Sequence, residues 1–213
     1  MTSRMTSRMT NQRNIIFDIG NVLVKWDPVE AFLDDLGSRE AVAAFMDRTG
    51  FHALNLRADQ GETFTDLAQT LADPEDRALI AGYVGNFGLT IRETIPATWA
   101  ILDRLRADGH AIHAITNWSA ETWPIGLATH PRLANAFGVT VVSGQEGLLK
   151  PDARIFGLLC ERANADPATC LFIDDSEKNV IGARAAGIDA IHFTGHFTGP
   201  AALEQALTDR GLL

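Results

Sequence analysis

The stretch Asn14-Ile15-Ile16-Phe17-Asp18-Ile19-Gly20-Asn21-Val22-Leu23-Val24-Lys25-Trp26-Asp27 decides how the rest of the chain is read. A short apolar run ends in one carboxylate, Asp18, and then offers Gly20 and Asn21. The run has the length and composition of a buried strand, Asn14–Asp18, with turn residues at its end. Asp18 is therefore either an ordinary turn residue or a reactive group displayed at a strand's carboxyl edge.

Four more runs of the same kind follow: Ala111–Thr116, Val139–Ser143, Cys170–Asp174 and Ala190–Phe193. Most alternate with amphipathic segments of helical length, such as Pro96–Asp108 before Gly109, Ser176–Ala186 before Gly187, and Pro200–Asp209. Alternation of this kind predicts right-handed crossovers and a parallel sheet, an α/β Rossmann-like core. The interval between Pro28 and Ile95 differs. It reads as successive helices over Val29–Leu36, Arg39–Arg48, Glu62–Leu71 and Pro74–Tyr83, with no strand-like run between them. That is too long for one crossover. The expected organisation is a core of residues 14–27 and 96–213, a helical cap of residues 28–95 inserted after strand one, and a disordered tail over 1–13. An insertion leaving the carboxyl edge of the sheet would lie over a ligand site there.

The 213 residues are 46% hydrophobic and 21% charged, as in folded soluble chains with one substantial core. A formal charge of -9 argues against a nucleic-acid partner, which would need a basic face. An anionic substrate would have to be held by a local positive site or a cation. Cys160 and Cys170, the two cysteines, are expected as reduced core thiols. No segment reaches the ~20 apolar residues that span a bilayer. The opening Met-Thr-Ser-Arg repeat lacks the apolar stretch of a signal peptide, so the expectation is a cytoplasmic protein with no membrane partner.

Polar residues recur at the carboxyl ends of the expected strands: Asp18, then Thr116-Asn117, then Lys150 in Gly147-Leu-Leu-Lys-Pro151, then Asp174-Asp175. Singly, each serves equally well as a turn residue. Together they form a chemically coherent set. A carboxylate can attack phosphorus or carbon to give a covalent intermediate. Further carboxylates beside it would raise its pKa unless a cation lay between them. A hard divalent ion, Mg²⁺, would take Asp18, the Gly20 carbonyl, Asp175 and waters. The Thr116 hydroxyl, amides near Asn117 and the Lys150 ammonium would then surround an anionic transferring group.

Phe17-Asp-Ile-Gly-Asn-Val22, Ile115-Thr-Asn117, Leu149-Lys-Pro151 and Phe172-Ile-Asp-Asp-Ser176 with Asn179 resemble the four motifs of haloacid-dehalogenase-like hydrolases. Order, spacing and the helical insertion carry the resemblance from Asn14 to Phe193. It looks most like the capped phosphatases of the α-glucose-1-phosphate phosphatase type and the phosphatase domain of soluble epoxide hydrolases. Receiver domains also use Asp, Thr and Lys around Mg²⁺, but their acidic pair comes first and they lack the insertion.

The resemblance implies an Mg²⁺-dependent phosphatase acting on a small phosphorylated metabolite. Asp18 would be the nucleophile and form an aspartyl-phosphate. Thr116, Asn117 and Lys150 would bind phosphate. Asp18, Gly20 and Asp175 would hold metal with Asp174 adjacent, and Asn179 would bond a metal-bound water or Lys150. A slip of one residue would exchange Asp174 and Asp175.

Position 20 departs from the pattern of many such phosphatases, which carry there a second Asp that protonates the leaving oxygen. Gly20 supplies no proton. Phosphates with an easily departing group, such as sugar-1-phosphates and acyl phosphates, are therefore the expected substrates, or else slow turnover of ordinary phosphomonoesters. Two alternatives stand beside this reading. One is a 2-haloacid dehalogenase with Asp18 attacking carbon, since halide needs no proton. The other is a non-catalytic phosphate-binding regulator on the same fold. His52, Asn55, Arg57 and Asp59 form a polar run in the insertion that reads either as a substrate-contacting segment or as a helix end. Trp118 and Trp123 read as an entrance lining or as packing between core and cap. His110, His113, His130, His192 and His196 lack metal spacing and are expected at surface, strand or turn positions.

Overall fold

The computed structural model describes residues 12–195 and 199–213. Among them, β1 (Asn14–Phe17), β2 (Ala111–Thr116), β3 (Thr140–Val142), β4 (Cys170–Asp174) and β5 (Asp189–His192) form one sheet ordered β3-β2-β1-β4-β5. Every neighbouring pair is parallel. The winding reverses at β1, with β2 and β3 on one side and β4 and β5 on the other. In such sheets the crevice beyond the carboxyl end of the reversal strand is where ligands sit.

The register fixes what reaches that crevice. Phe17 lies opposite both Ala114 and Ile173. Asp18, Thr116 and Asp174 therefore emerge within two residues of one another at the same edge. Ile15, Ile16 and Phe17 are fully buried, as expected for a parallel strand covered on both faces. Alternate residues feed two apolar layers. Ile15 and Phe17 join the layer that includes Leu102 and Leu105 of the helix Pro96–Ala107. Ile16 joins Ile155, Phe156 and Leu159 of the helix Ala153–Ala163.

Between β1 and β2 the chain is helical, as the sequence predicts. A 3-10 turn (Pro28–Ala31) leads into α1 (Leu33–Leu36), α2 (Arg39–Thr49), α3 (Phe51–Ala58), α4 (Phe64–Gln69) and α5 (Pro74–Thr90), before α6 (Pro96–Ala107) returns to the sheet. Tyr83 of α5 is the hub of this block, with ring centroids of Phe32, Phe51, Phe64 and Phe87 at 5.5, 5.0, 4.7 and 5.8 Å. Such tilted and edge contacts add to simple area burial. The two chain crossings that join the block to the sheet run side by side. Ile95 N donates to Leu23 O (2.8 Å), Lys25 N to Glu93 O (2.8 Å) and Asp27 N to Thr90 O (2.9 Å).

Helix α3 falls where the sequence offered only a polar run, and three of the expected helices have other bounds. Val29–Leu36 is divided at Phe32 into the 3-10 turn and α1. The α4 helix begins later than Glu62, because the Thr63 hydroxyl accepts from Asp66 N and caps it there. The α5 helix runs on past Tyr83 to Thr90, through Gly85 and Gly88, residues of low helical propensity. At Gly88 the helix faces Ile125 and Thr129 of α7 (Trp123–Thr129), which a Cβ would meet at an ordinary contact distance of 3.7 Å.

Residues 1–11 of the expected tail and His196 lie outside the described residues. Arg13 is already engaged: its N donates to His110 Nδ1 and its O accepts from Ala111 N. Cys160 and Cys170 are both buried, with their sulfurs 4.0 Å apart. No helix among the described residues is long and apolar enough to cross a membrane.

Candidate active site

Asp18 follows β1 directly, its N–H bonded to Ile173 O at 2.9 Å, which continues the ladder to β4. The chain then turns tightly. Ile19 O accepts from the amides of Val22, Leu23 and Val24, and Asn21 takes φ 53° while its side chain accepts from Trp26 N. Asn tolerates this left-handed conformation better than most residues. Ile19 N donates to Asp18 Oδ1 at 2.7 Å and Lys150 Nζ stands 2.8 Å from the same oxygen.

Lys150 is buried at the centre of the constellation. Besides Asp18, its ammonium contacts Asp174 Oδ2 at 2.7 Å and donates to Ile115 O at 3.1 Å. The Asn117 side chain clamps its backbone from both sides, accepting from Lys150 N at 2.9 Å and donating to Lys150 O at 3.1 Å. Asn117 thus joins the end of β2 to the Lys150 loop. Thr116, 1% exposed, ends β2 beside it.

The acidic pair is divided by its surroundings. Asp174 is fully buried and accepts from Lys150, from Ser176 N at 2.7 Å and from Asn179 Nδ2 at 3.0 and 3.1 Å. Asn179 thus bonds Asp174, not Lys150 as expected, because the first turn of the helix Glu177–Ala185 carries it back toward the end of β4. Asp175 is half-buried, its carbonyl bonded by His192 Nε2 at 2.9 Å. Carboxylate oxygens of Asp18, Asp174 and Asp175 lie within 4.8 Å of one another. Burial raises the Asp18 pKa well above the usual carboxylate range; Lys150 opposes this, and Asp174 and Asp175 add to it. For Lys150, burial alone would lower the pKa, but Asp174 and Asp18 outweigh it and hold the ammonium charged.

The donor set fits a hard divalent cation: clustered carboxylate oxygens, one of them half-exposed, where repulsion would be relieved by positive charge. Soft or nitrogen ligands are absent from the cluster. Gly20 sits beside it with open space, since a Cβ there would meet nothing within 4 Å.

Above this edge lies a cavity of about 80 Å³ open to the centres of water-sized molecules, walled on the sheet side by Gly20, Asn117, Trp118 and Thr122. The helical block contributes Asn55 and Asp59 of the polar run, with Phe87 and Ile91; Val24 and Trp26 of the first crossing complete it. His52 and Arg57 do not line it. Arg57 instead pairs with Glu62 at 2.5 Å. Trp118 serves both roles its position allowed, lining the cavity and packing 5.5 Å from Phe87, while Trp123 packs behind it at 5.3 Å.

Asp27, the next acid in sequence after Gly20, caps the 3-10 turn and pairs with Arg39 at 2.6 Å, outside the cavity lining. The described histidines have local roles. His113, for example, accepts from Val139 N at 3.1 Å, and burial lowers its pKa. Sequence reasoning missed Ser143, whose hydroxyl accepts from Trp118 N at 2.9 Å and donates to Asp59 O at 2.6 Å. A Ser at the end of β3 signals nothing of a partner 84 residues away.

Residues 12–187 match the model of the haloacid dehalogenase-like hydrolases. The chain is 25% identical over 199 residues to the sesquiterpene phosphatase astK of Aspergillus oryzae, covering 87% of this chain and 91% of that protein. In fold it is similar to the HAD family enzyme BT-2542 of Bacteroides thetaiotaomicron, with TM-score 0.72, 18% identity, and 91% and 99% of the two chains covered. The same enzyme in complex with magnesium and inorganic phosphate aligns with TM-score 0.66 and 20% identity, over 84% of this chain and 93% of that one. A solved dehalogenase aligns with TM-score 0.64 and 17% identity over 94% and 97%. At these identities the structural likeness speaks to fold alone.

Proposed function

We propose that this chain, which belongs to the haloacid dehalogenase-like hydrolase family, is an Mg²⁺-dependent phosphatase that works through an aspartyl-phosphate on Asp18. The observation that carries the proposal is the buried Lys150 ammonium, 2.8 Å from Asp18 and 2.7 Å from Asp174, at the carboxyl edge of the central strand. An attacking carboxylate and a cation for the transferring group are thereby held together. We read residues 14–27 and 96–213 as the core and 28–95 as its cap.

In the first step Asp18 forms a bond to phosphorus as the ester P–O bond breaks, and Lys150, Thr116 and the amides near Asn117 hold the equatorial oxygens. In the second, water attacks phosphorus, the Asp18–phosphate bond breaks, and inorganic phosphate leaves. Asp18, the Gly20 carbonyl and Asp175 would hold Mg²⁺, which supplies charge neutralisation for the phosphoryl oxygens. Asp174 has its oxygens engaged by Lys150, Asn179 and Ser176. Its role is to place Lys150, and Asp175 is the metal ligand of the pair.

The cavity favours a leaving group with an apolar face, because Val24, Trp26, Phe87, Ile91 and Trp118 dominate its walls. A sugar ring offers such a face, as does a prenyl chain. The sugar-1-phosphate suggested by Gly20 and a terpenyl phosphate, suggested by the name of the Aspergillus relative, are the first substrates to compare. The deciding experiment is a phosphate-release screen over sugar, terpenyl, nucleotide and acyl phosphates, with Mg²⁺ and with EDTA. Release that needs Mg²⁺ is expected. Chloride release from 2-chloropropionate in EDTA, without phosphate release, would establish the dehalogenase reading instead. Binding of phosphate without turnover would establish the regulator. Turnover of glucose-6-phosphate above glucose-1-phosphate would sink the sugar-1-phosphate preference.

A further inference from the structure

We propose that Asp59, on the helical block, is the proton donor to the leaving oxygen and the base for the hydrolytic water, a role for which position 20 has no side chain. The proposal rests on the phosphatase reading above and replaces its leaving-group argument for sugar-1-phosphates, since an acid at Asp59 removes the need for an easily departing alcohol. Asp59 caps the C-terminal end of α3 and lines the same cavity as Gly20 and Asn117.

Its placement is fixed from both sides. Asp59 O accepts from Ser143 Oγ, which also accepts from Trp118 N, so the residue is tied to the segment that follows Thr116. Its carboxylate accepts from Asn55 Nδ2 at 3.0 Å. The ring of Trp118, whose buried Nε1 has no hydrogen-bond partner among the described residues, shares the cavity wall.

Stability gives little reason for a carboxylate here. Asp59 is 8% exposed and has no ion pair among the described residues, whereas Glu62 and Asp76 of the same block pair with Arg57 and Arg48. An uncharged Asn would accept similar bonds without the cost of burying a charge. Burial pushes its pKa up to about 7, partly offset by Lys150 and the Ser119 amide. Tyr83 of α5 and Lys150 are the ionisable groups that interact with it. A group balanced in this range can give a proton in one step and take one in the next.

The steps balance. As the Asp18–phosphorus bond forms and the ester P–O bond breaks, the Asp59 carboxyl proton passes to the departing oxygen, releasing a neutral alcohol. Asp59, now a carboxylate, then takes a proton from the water that attacks phosphorus. Phosphate and Asp18 separate, and both residues regain their starting forms.

The test is the dependence of turnover on leaving group. With the acid in place, wild-type rates across alkyl and aryl phosphates should depend only shallowly on leaving-group pKa. Asp59→Asn should lose roughly 10²-fold or more on an alkyl phosphate and only a few-fold on p-nitrophenyl phosphate, whose leaving group needs no proton. Adding Gly20→Asp, for which there is space, should restore part of the alkyl rate. Equal losses on both esters, no loss on the alkyl ester, or a steep dependence already in the wild type would each overturn the assignment. The last needs no variant to fold. Absence of any phosphate release by the wild type would instead refute the phosphatase reading.

Discussion

Lys150 Nζ lies 2.8 Å from Asp18 Oδ1, with both side chains at least nine-tenths buried. The pair brings the loop after β3 against the end of β1, and each charge is tolerable there because of the other. Lys150→Met should leave Asp18 beside Asp174 with no cation. Loss of at least ~10²-fold in phosphate release is expected, with destabilisation on the order of 3 kcal/mol or more. Denaturant titration and steady-state rates check both. Unchanged turnover would remove Lys150 from the site.

The two members of the acidic pair should separate in experiment. Asp175→Asn should raise the Mg²⁺ concentration needed for half-maximal activity while changing the melting temperature little. Asp174→Asn should lower the melting temperature, because Lys150 and Asn179 lose a charged acceptor. Identical behaviour of the two variants would contradict the division of roles.

Magnesium should stabilise the fold, and more so at higher pH. The Asp18 pKa is raised by burial, so the folded state resists its ionisation. This penalty is absent below the unfolded carboxylate pKa and grows as pH rises above it. A cation that binds the ionised cluster offsets it. The Mg²⁺-induced rise in melting temperature should be larger at pH 8 than at pH 5 and small in Asp18→Asn. An equal rise at both pH values would count against binding at this cluster.

The cavity wall can be moved without touching the reacting groups. A Cβ at Gly126 would lie 2.7 Å from Cζ2 of Trp118, so Gly126→Ala must displace that ring. The expected effect is destabilisation of about 1–3 kcal/mol and a raised KM, with the rate at saturation less affected. A lowered kcat with unchanged KM would place Trp118 nearer the chemistry than this account allows.

The sheet and the meeting of polar residues at its edge were legible in the sequence because both are local signals: short apolar runs ending in Asp18, Thr116 and Asp174, and a long strandless interval. What was hidden is tertiary. Phe51–Ala58 directly follows Gly50, which offers no side-chain cap, and its end was read as a polar run. The extension of α5 was masked by Gly85 and Gly88, residues of low helical propensity. The burial of Asp59 depends on Ser143 and on Trp118, far along the chain, and no spacing rule reports that. Gly20 is legible as a position without a side chain, whereas the pairing of Asp27 with Arg39, outside the cavity lining, is a tertiary fact that spacing does not report.

The central claim is that Asp18 carries the phosphoryl group. The most direct measurement is acid quenching of a single turnover with an ester labelled in its phosphate, followed by peptide mapping. The account predicts label on the peptide containing Asp18, formed and lost at rates consistent with turnover, and no label or phosphate release in Asp18→Asn. Label on another residue, or phosphate release that survives the substitution, would contradict it.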